Sequence, residues 1–120
     1  MKKAPQCRVR LKGLLNTRLF KALGDPTRVG LLAYLAECCR PMNVKDASRC
    51  CDIDLSVVSR HLSVLREAEV LESSKEGREV YYTVRFSKLA GFLRDLADAI
   101  ESCCLTENTA AKETRHGKKK

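Results

Sequence analysis

The 120-residue sequence predicts a mainly α-helical fold with one β-hairpin, a winged helix-turn-helix with an additional helix at each end. Apolar residues recur at helical spacing in segments that capping residues separate. Two β-prone segments flank a glycine turn before the last of these helices. The length suits one domain with one modest core. We assign residues 9–104 to that domain, residues 1–8 to a disordered basic arm and residues 105–120 to a disordered basic tail.

The first two helices are predicted from their apolar stripes and from the boundary between them. Leucine and phenylalanine recur at helical spacing over residues 9–23. Asp25 can accept hydrogen bonds from the free backbone N–H groups of the next helix, and Pro26 suits its first position. We expect that second helix to reach Cys39, because Pro41 prevents its continuation.

A helix-turn-helix is predicted next. Asn43 can cap a short third helix over residues 44–51, and Asp54 follows a tight turn as the cap of a fourth helix. The fourth helix is expected to extend from Leu55 to about Ala68. Its core-facing residues recur at helical spacing and are Val58, Leu62 and Leu65.

The chain then changes period and ends in one more helix. Segments 70–74 and 79–85 are β-prone and flank a turn that contains Gly77. Ser87 can cap a final helix that ends near Cys104. The long apolar stripes of the first and last helices exceed what a small core can cover, so we expect them to pair between two chains.

The fourth helix has the composition of a surface that reads DNA. When its apolar residues face the core, its short polar residues and one arginine face solvent, as in a helix that contacts base edges in the major groove. The alternative is that these residues only coat a solvated helix. The predicted base-reading residues are Ser56, Val57, Ser59, Arg60, His61 and Ser63. The predicted contacts to the DNA backbone are Lys45, Arg49, Lys75 and Arg78.

The positive charge lies mostly at the N-terminus. The formal net charge is +8 at pH 7, which suits a polyanionic partner. Residues 1–21 contain seven Lys/Arg and no acidic residue, whereas residues 22–90 contain ten of each sign. We therefore expect much of the salt-dependent affinity for DNA to come from the N-terminal arm.

Three separated motifs resemble the ArsR/SmtB family. They are residues 19–28 (LFKALGDPTR), 58–68 (VSRHLSVLREA) and 76–82 (EGREVYY), and the resemblance covers about residues 10–104. It implies a bacterial winged-helix repressor that metal or metalloid binding releases from DNA, and not an enzyme. It also implies a homodimer on double-stranded operator DNA with an imperfect palindrome, whose half-sites lie about one helical turn apart.

The cysteine content suggests a soft ligand. Of the seven cysteines, six form adjacent pairs at residues 38–39, 50–51 and 103–104. The odd number argues against a structural disulfide framework in a cytoplasmic chain. Thiolates select soft ions, with As(III) or Sb(III) as the first expectation and Cd(II), Pb(II) or Hg(II) as alternatives. A nitrogen-rich zinc site is not expected, because the only histidines are His61 and His116.

The resemblance also suggests which cysteines bind. Well-known arsenic-responsive members carry a Cys-x-Cys where this chain has Asn43 and Lys45, so that site is missing. Adjacent cysteines at the end of the last helix in other members match Cys103 and Cys104. A cysteine just before the third helix matches Cys39, and Cys38 and Cys7 are weaker candidates.

Each cysteine also has a structural interpretation. Cys103 and Cys104 follow Ile100 at helical spacing and would extend an apolar stripe. Cys51 occupies a position where the family usually has a core leucine, so we expect it to be structural. Cys50 has no assignment.

Two alternatives remain open. One is a thiol-redox or persulfide-sensing repressor of the same fold, although the second-helix cysteine of such relatives is matched here by Ala33. The other is a metal carrier or redox protein that does not bind DNA, which would leave the helix-turn-helix unexplained. No apolar run approaches the roughly 18 residues of a membrane span, so we expect no membrane partner and a soluble, cytoplasmic bacterial protein.

Overall fold

The computed structural model describes the backbone of residues 11–119 and the side chains of residues 11–103. These residues fall into two compact units, one of residues Thr17–Leu89 and one of the described residues 11–16 and 90–119. The elements are α1 (Thr17–Leu23), α2 (Pro26–Cys38), α3 (Val44–Ala47), a 3₁₀ turn (Ser48–Cys50), α4 (Leu55–Glu67), β1 (Leu71–Glu76), β2 (Glu79–Val84) and α5 (Phe86–Lys119). The predicted fold class, mainly helical with one antiparallel hairpin, is confirmed.

The prediction of one continuous helix over residues 9–23 is wrong within the described residues. Residues 11–14 are helical, Leu15 and Asn16 are not, and α1 begins at Thr17. Asn16 stands at the position before α1, where asparagine is favoured because its side chain can satisfy a free N–H group. The same side chain competes with the backbone inside a helix, and this explains the interruption.

The predicted start and end of α2 are confirmed. Asp25 Oδ1 accepts hydrogen bonds from the backbone N–H groups of Thr27 at 2.8 Å and Arg28 at 3.3 Å. At the other end, Cys39 adopts a left-handed conformation with φ of 55° and its N–H donates to the Leu35 carbonyl at 3.0 Å. Both ends of the helix therefore have capped backbone groups.

The third helix is shorter than predicted. The Asp46 N–H donates to Asn43 Oδ1 at 2.8 Å, while the Asn43 N–H donates to Asp46 Oδ2 at 3.5 Å. This reciprocal capping box fixes the start of α3. The chain tightens into the 3₁₀ turn after Ala47, so the α-helix does not extend to residue 51.

Helix α4 begins at the predicted residue, although Asp54 caps it differently from the expectation. The Asp54 carbonyl oxygen accepts from the N–H groups of Val57 and Val58, each at 3.0 Å. Its side chain makes no capping hydrogen bond. Asp54 is therefore the N-cap residue by backbone geometry alone.

The core of the first unit is apolar and centres on α4. The three predicted core residues of α4 have no exposed surface. Helix α2 contributes Leu31 and Leu35, which are 0% and 1% exposed. No polar or charged residue is buried among the described residues. Each such leucine contributes about 1.5–3 kcal/mol of transfer free energy on burial. The inner face of α4 is thus held firmly, and its orientation is set by the core.

The hairpin β1–β2 forms the wing. Its strands pair from Leu71 with Val84 to Glu76 with Glu79, so Gly77 and Arg78 form the turn. Gly77 has φ of 66°, a conformation that glycine adopts without strain. Two backbone hydrogen bonds, of 3.0 and 2.8 Å, join Met42 to Tyr82 and attach the wing to the segment before α3.

Helix α5 extends to Lys119, beyond its predicted end near Cys104. Residues 105–119, assigned from sequence to a disordered tail, contain no proline and several good helix formers, so the backbone can continue as a helix. On the described part of α5, Leu96 and Ala99 are buried, whereas Leu93 and Ile100 are 47% and 49% exposed. No described helix is long and apolar enough to cross a membrane.

Candidate nucleic-acid interface

The outer face of α4 is polar. Ser56 and Arg60 are exposed and lie one turn apart, and Ser63 follows on the same side and is half-buried. Val57, Ser59 and His61 are also half-buried. Since the opposite face is fully buried, Ser56 and Arg60 lie on the part of α4 that is not packed into the core, whereas the other four predicted base-reading residues are partly covered.

His61 makes a contact that its sequence position did not predict. Its Nδ1 lies 3.2 Å from Arg28 Nη1. A guanidinium group can only donate, so Nδ1 is the acceptor and a neutral ring carries its proton on Nε2. His61 therefore ties α4 to the start of α2 with one ring nitrogen, and its role in base reading remains a prediction.

Arg28 joins three parts of the first unit. Besides its contact with His61, its Nε donates to the Ala22 carbonyl at 2.7 Å and its Nη2 to the Lys21 carbonyl at 3.2 Å. These carbonyls lie at the end of α1, where backbone acceptors lack helical partners. Nη1 also lies 3.9 Å from Asp25 Oδ2. The only sequence signal for this role was the position of Arg28 within the motif of residues 19–28.

The Asp25 carboxylate is stabilised in its charged form. Burial alone would raise its pKa, but the N–H groups of Thr27 and Arg28 and the charge of Arg28 together lower the pKa of Asp25 below its ordinary value. An ionised carboxylate at the N-terminus of α2 also interacts favourably with the helix dipole.

The four predicted phosphate contacts are exposed. Lys45 and Arg49 lie on α3 and the 3₁₀ turn, and Lys75 and Arg78 lie near the tip of the wing. Arg49 Nη1 is 3.7 Å from Asp46 Oδ1, and its side chain is 62% exposed. An exposed ion pair of this kind contributes roughly 0–1 kcal/mol, so it would not prevent Arg49 from binding a phosphate.

The described cysteines occupy three places. Cys38 and Cys39 are exposed free thiols at the end of α2, and Cys50 and Cys51 are half-buried free thiols. Cys103 on α5 is half-buried and disulfide-bonded. The expectation from the sequence was that the chain has no structural disulfide framework, and four of the five described cysteines are free thiols. Among the described residues, no group of three or more Cys, His, Asp or Glu is arranged to hold a metal ion.

Two of the predicted ligands cannot be placed. Cys7 and the side chain of Cys104 lie outside the described residues. The structure therefore locates Cys39 and Cys38 on a solvent-exposed helix end and Cys103 on α5, and the composition of a complete site remains a prediction.

The Cys50 and Cys51 sulfurs are in contact. Cys50 Sγ lies 3.4 Å from Cys51 Sγ, at the junction between the 3₁₀ turn and the turn that leads to α4. Burial, the hydrogen bond to Cys51 and the nearby Cys51 charge raise the pKa of Cys50 to about 11. Cys50 is therefore a neutral thiol at physiological pH.

Comparison with known proteins gives the class. A family model described as a helix-turn-helix domain matches residues 23–74. The chain is 33% identical over 113 residues to the HTH-type transcriptional regulator CmtR of Mycobacterium tuberculosis, covering 89% of this chain and 92% of that protein. The solved structure of an ArsR-like transcriptional regulator from Rhodococcus has a TM-score of 0.68 at 24% identity, covering 82% of this chain and 90% of that one, and so shares the fold.

A second relative is named for its ligand class. The arsenical resistance operon repressor of Escherichia coli is 42% identical over 72 residues, which are 58% of each chain. The chain thus spans less than two thirds of that protein, and 61% of another curated repressor.

The matched relatives are transcriptional regulators, so fold and comparisons together define a winged helix-turn-helix regulator and not an enzyme. The chain belongs to the ArsR/SmtB family of helix-turn-helix transcriptional regulators.

Proposed function

We propose that this protein is a dimeric transcriptional repressor that binds operator DNA through α4 and leaves it when a thiophilic metal or metalloid binds its cysteines. The observation that carries the proposal is the asymmetry of α4. Its inner face has no exposed surface, while Ser56 and Arg60 are exposed on the outer face of a helix-turn-helix.

Sequence reading is assigned to the outer face of α4. The Arg60 guanidinium can donate two hydrogen bonds to a guanine, a contact worth roughly 1–3 kcal/mol of discrimination against the wrong base. Ser56 and Ser59 can make shorter polar contacts from the first turns. Lys45 and Arg78, with the other exposed cations near α4 and on the wing, would bind phosphates and fix orientation without reading sequence.

Dimerisation would place two such helices on one operator. Leu93 and Ile100 are seven residues apart on α5, lie on one face and are about half exposed. Pairing of this face between two copies would remove apolar surface from water. A two-fold dimer would then match an imperfect palindrome whose half-sites are about one helical turn apart.

The inducer is proposed to be As(III) or Sb(III), with Cd(II), Pb(II) or Hg(II) as alternatives. Soft thiolates favour these ions, and the relative from E. coli is named as an arsenical resistance repressor. Cys103 and Cys104 are the first proposed ligands, followed by Cys39, with Cys38 and Cys7 less favoured.

Release would be allosteric. Ligand binding at the end helices would favour a dimer shape in which the two copies of α4 no longer match successive major grooves. Such coupling requires the ligand to bind the released shape more tightly than the DNA-bound shape.

A second candidate is a thiol-redox repressor of the same fold. The observation that favours it is that Cys103 on α5 is disulfide-bonded. In that case the disulfide form, and not an ion complex, would leave the operator.

One experiment separates the two candidates. Fluorescence anisotropy would measure binding of the reduced protein to DNA from upstream of its own gene, with and without arsenite, in wild type and in a Cys103→Ser/Cys104→Ser variant. We expect arsenite to release the wild type at a much lower concentration than the variant, while a Glu101→Gln control on the exposed surface of α5 behaves like the wild type. Equal release of wild type and double variant would contradict the site assignment. Release by peroxide together with no response to arsenite would favour the redox candidate.

A further inference from the structure

Cys50 and Cys51 lie together for a backbone reason. Adjacent side chains on a regular helix point about 100° apart and do not meet. Here Cys50 ends the 3₁₀ turn, and Cys51 has an extended backbone with φ of −148° and ψ of 161°. This change of conformation between the two residues brings their Sγ atoms to 3.4 Å.

The sulfur separation favours one kind of ligand. With a bond from the bound element to sulfur of about 2.3 Å, two sulfurs 3.4 Å apart subtend an angle of about 95° at that element. A linear two-coordinate ion would need the sulfurs about 4.6 Å apart, and a tetrahedral ion about 3.8 Å. An angle near 95° is typical of a pyramidal trivalent element that carries a lone pair. Trivalent arsenic has this geometry and prefers sulfur.

The site is also suited to a neutral product. Cys50 and Cys51 are half-buried residues, and charge in such a place is disfavoured. When R–As(OH)₂ reacts with two thiols, two As–S bonds form and two As–O bonds break. The two thiol protons leave with the hydroxyl groups as two waters, and nothing is oxidised or reduced. The reaction leaves no charge on either sulfur, so protonated thiols are suitable reactants.

We propose that Cys50 and Cys51 form a two-thiol site for trivalent arsenic, located in the helix-turn-helix itself. Two thiols occupy two of the three valences, so the site suits a monosubstituted organoarsenical, or arsenous acid with its third hydroxyl retained. The site differs from the proposed ligands on α5 and at the end of α2.

The location gives the site a direct connection to α4. The Cys51 N–H donates to the Ser48 carbonyl at 3.2 Å, and three residues later Asp54 caps α4 through its carbonyl. An arsenic atom that bridges the two sulfurs fixes the chain at the start of this turn and alters the entry into α4. This effect on DNA binding rests on the proposed function, whereas arsenic binding to the two thiols does not.

The test of binding uses full-length protein in which the other five cysteines are replaced by serine, with phenylarsine oxide as the first probe and arsenite as the second. Intact mass spectrometry should show one phenylarsenic adduct per chain. Removing either thiol, by Cys50→Ser or Cys51→Ser, should weaken binding by roughly 100-fold, because the chelate is reduced to a single bond. Circular dichroism would verify folding, and Cys50→Ala replaces any variant that does not fold.

A matched control retains only Cys38 and Cys39, which are adjacent and exposed at the end of α2. We expect the chain with Cys50 and Cys51 to bind phenylarsine oxide more tightly than this control. Absence of an adduct, equal affinity in the control, or an adduct that survives Cys50→Ser would overturn the site. Binding of arsenite without phenylarsine oxide would overturn the preference for a monosubstituted arsenical.

The effect on DNA is measured separately with the same variant. Phenylarsine oxide should weaken its binding to the upstream fragment by at least about 10-fold. An adduct with unchanged DNA affinity would overturn the regulatory role and leave the binding site standing. If the arsenic-free wild type binds no DNA, the proposed function fails, while the mass measurement still decides the site.

Discussion

Replacing Arg28 by alanine should destabilise the domain more than any ordinary surface substitution. The Arg28 side chain is only 15% exposed and donates to the Ala22 and Lys21 carbonyls and to His61. Hydrogen bonds from a charged donor contribute roughly 1.5–3 kcal/mol each, and neutral ones about 1 kcal/mol. The hydrogen bond to the Lys21 carbonyl is exposed, so its contribution lies at the low end of the range for a charged donor. The three contributions come from one side chain and are not additive, so we expect Arg28→Ala to lower the free energy of unfolding by about 2–4 kcal/mol, less than their sum.

Urea unfolding followed by circular dichroism measures this change. Arg28→Lys keeps the charge but lacks the forked geometry, so it should recover less than half of the loss. The control is Arg40→Ala, because the Arg40 side chain is 53% exposed and lies 3.9 Å from its only charged partner among the described side chains, Asp46. We expect the control to change stability by less than about 0.5 kcal/mol. A loss for Arg28→Ala no larger than that of the control would refute the anchoring role of Arg28.

Three further predictions concern acid, backbone strain and salt. Because the pKa of Asp25 is lowered from 3.8, its carboxylate stabilises the fold above about pH 4, and this contribution is lost as the pH falls through the folded-state value. The stability difference between wild type and Asp25→Asn should thus shrink below pH 4 in urea titrations; a constant difference would contradict this. Cys39→Gly should raise the free energy of unfolding by about 0.5–1 kcal/mol, because Cys39 has φ of 55°, a conformation that glycine adopts without strain. The control Cys38→Gly lies within α2 and should lower the free energy of unfolding. Equal effects of the two substitutions would refute the strain argument. Deleting residues 1–8 removes Lys2, Lys3 and Arg8. The deletion should reduce the slope of log affinity against log salt by up to about 3, while the sequence preference is kept. An unchanged slope would contradict the prediction that the N-terminal arm contributes to salt-dependent affinity for DNA.

Local signals in the sequence were sufficient for most boundaries. The Asp25-Pro26 pair predicted the start of α2 because a cap and a proline act through neighbouring backbone groups only. Gly77 located the turn of the wing for the same reason. Helical spacing identified the buried face of α4, because the period of the apolar residues determines which of them share a face. Packing against the core then buries that face.

The errors arose where two local preferences competed. The apolar stripe over residues 9–23 favoured one helix, but Asn16 is also a good start for a new helix, and the structure has the interruption there. At the other end, polar composition placed the end of the last helix near Cys104, whereas the backbone of α5 is helical to Lys119. Polarity alone does not prevent a helix when no proline or capping signal ends it.

The parts of the site that the sequence did not predict are contacts between residues that only the folded chain brings together. Arg28 and His61 are 33 residues apart, so their pairing follows only from the packing of α2 and α4. The contact between Cys50 and Cys51 depends on an extended backbone at Cys51 that a predicted helix over residues 44–51 excluded.

The most direct test of DNA reading by α4 compares Arg60→Ala with Arg66→Ala. Both arginines are exposed on α4, but Arg60 lies in its second turn and Arg66 in its last. Fluorescence anisotropy would measure the affinity of each variant for the upstream fragment and for a scrambled fragment of the same length. The account predicts that Arg60→Ala weakens binding to the upstream fragment by roughly 10- to 100-fold, with little change for the scrambled one, and that Arg66→Ala affects both fragments slightly and equally. Unchanged affinity of Arg60→Ala for the upstream fragment, or an equal loss on both fragments, would contradict it.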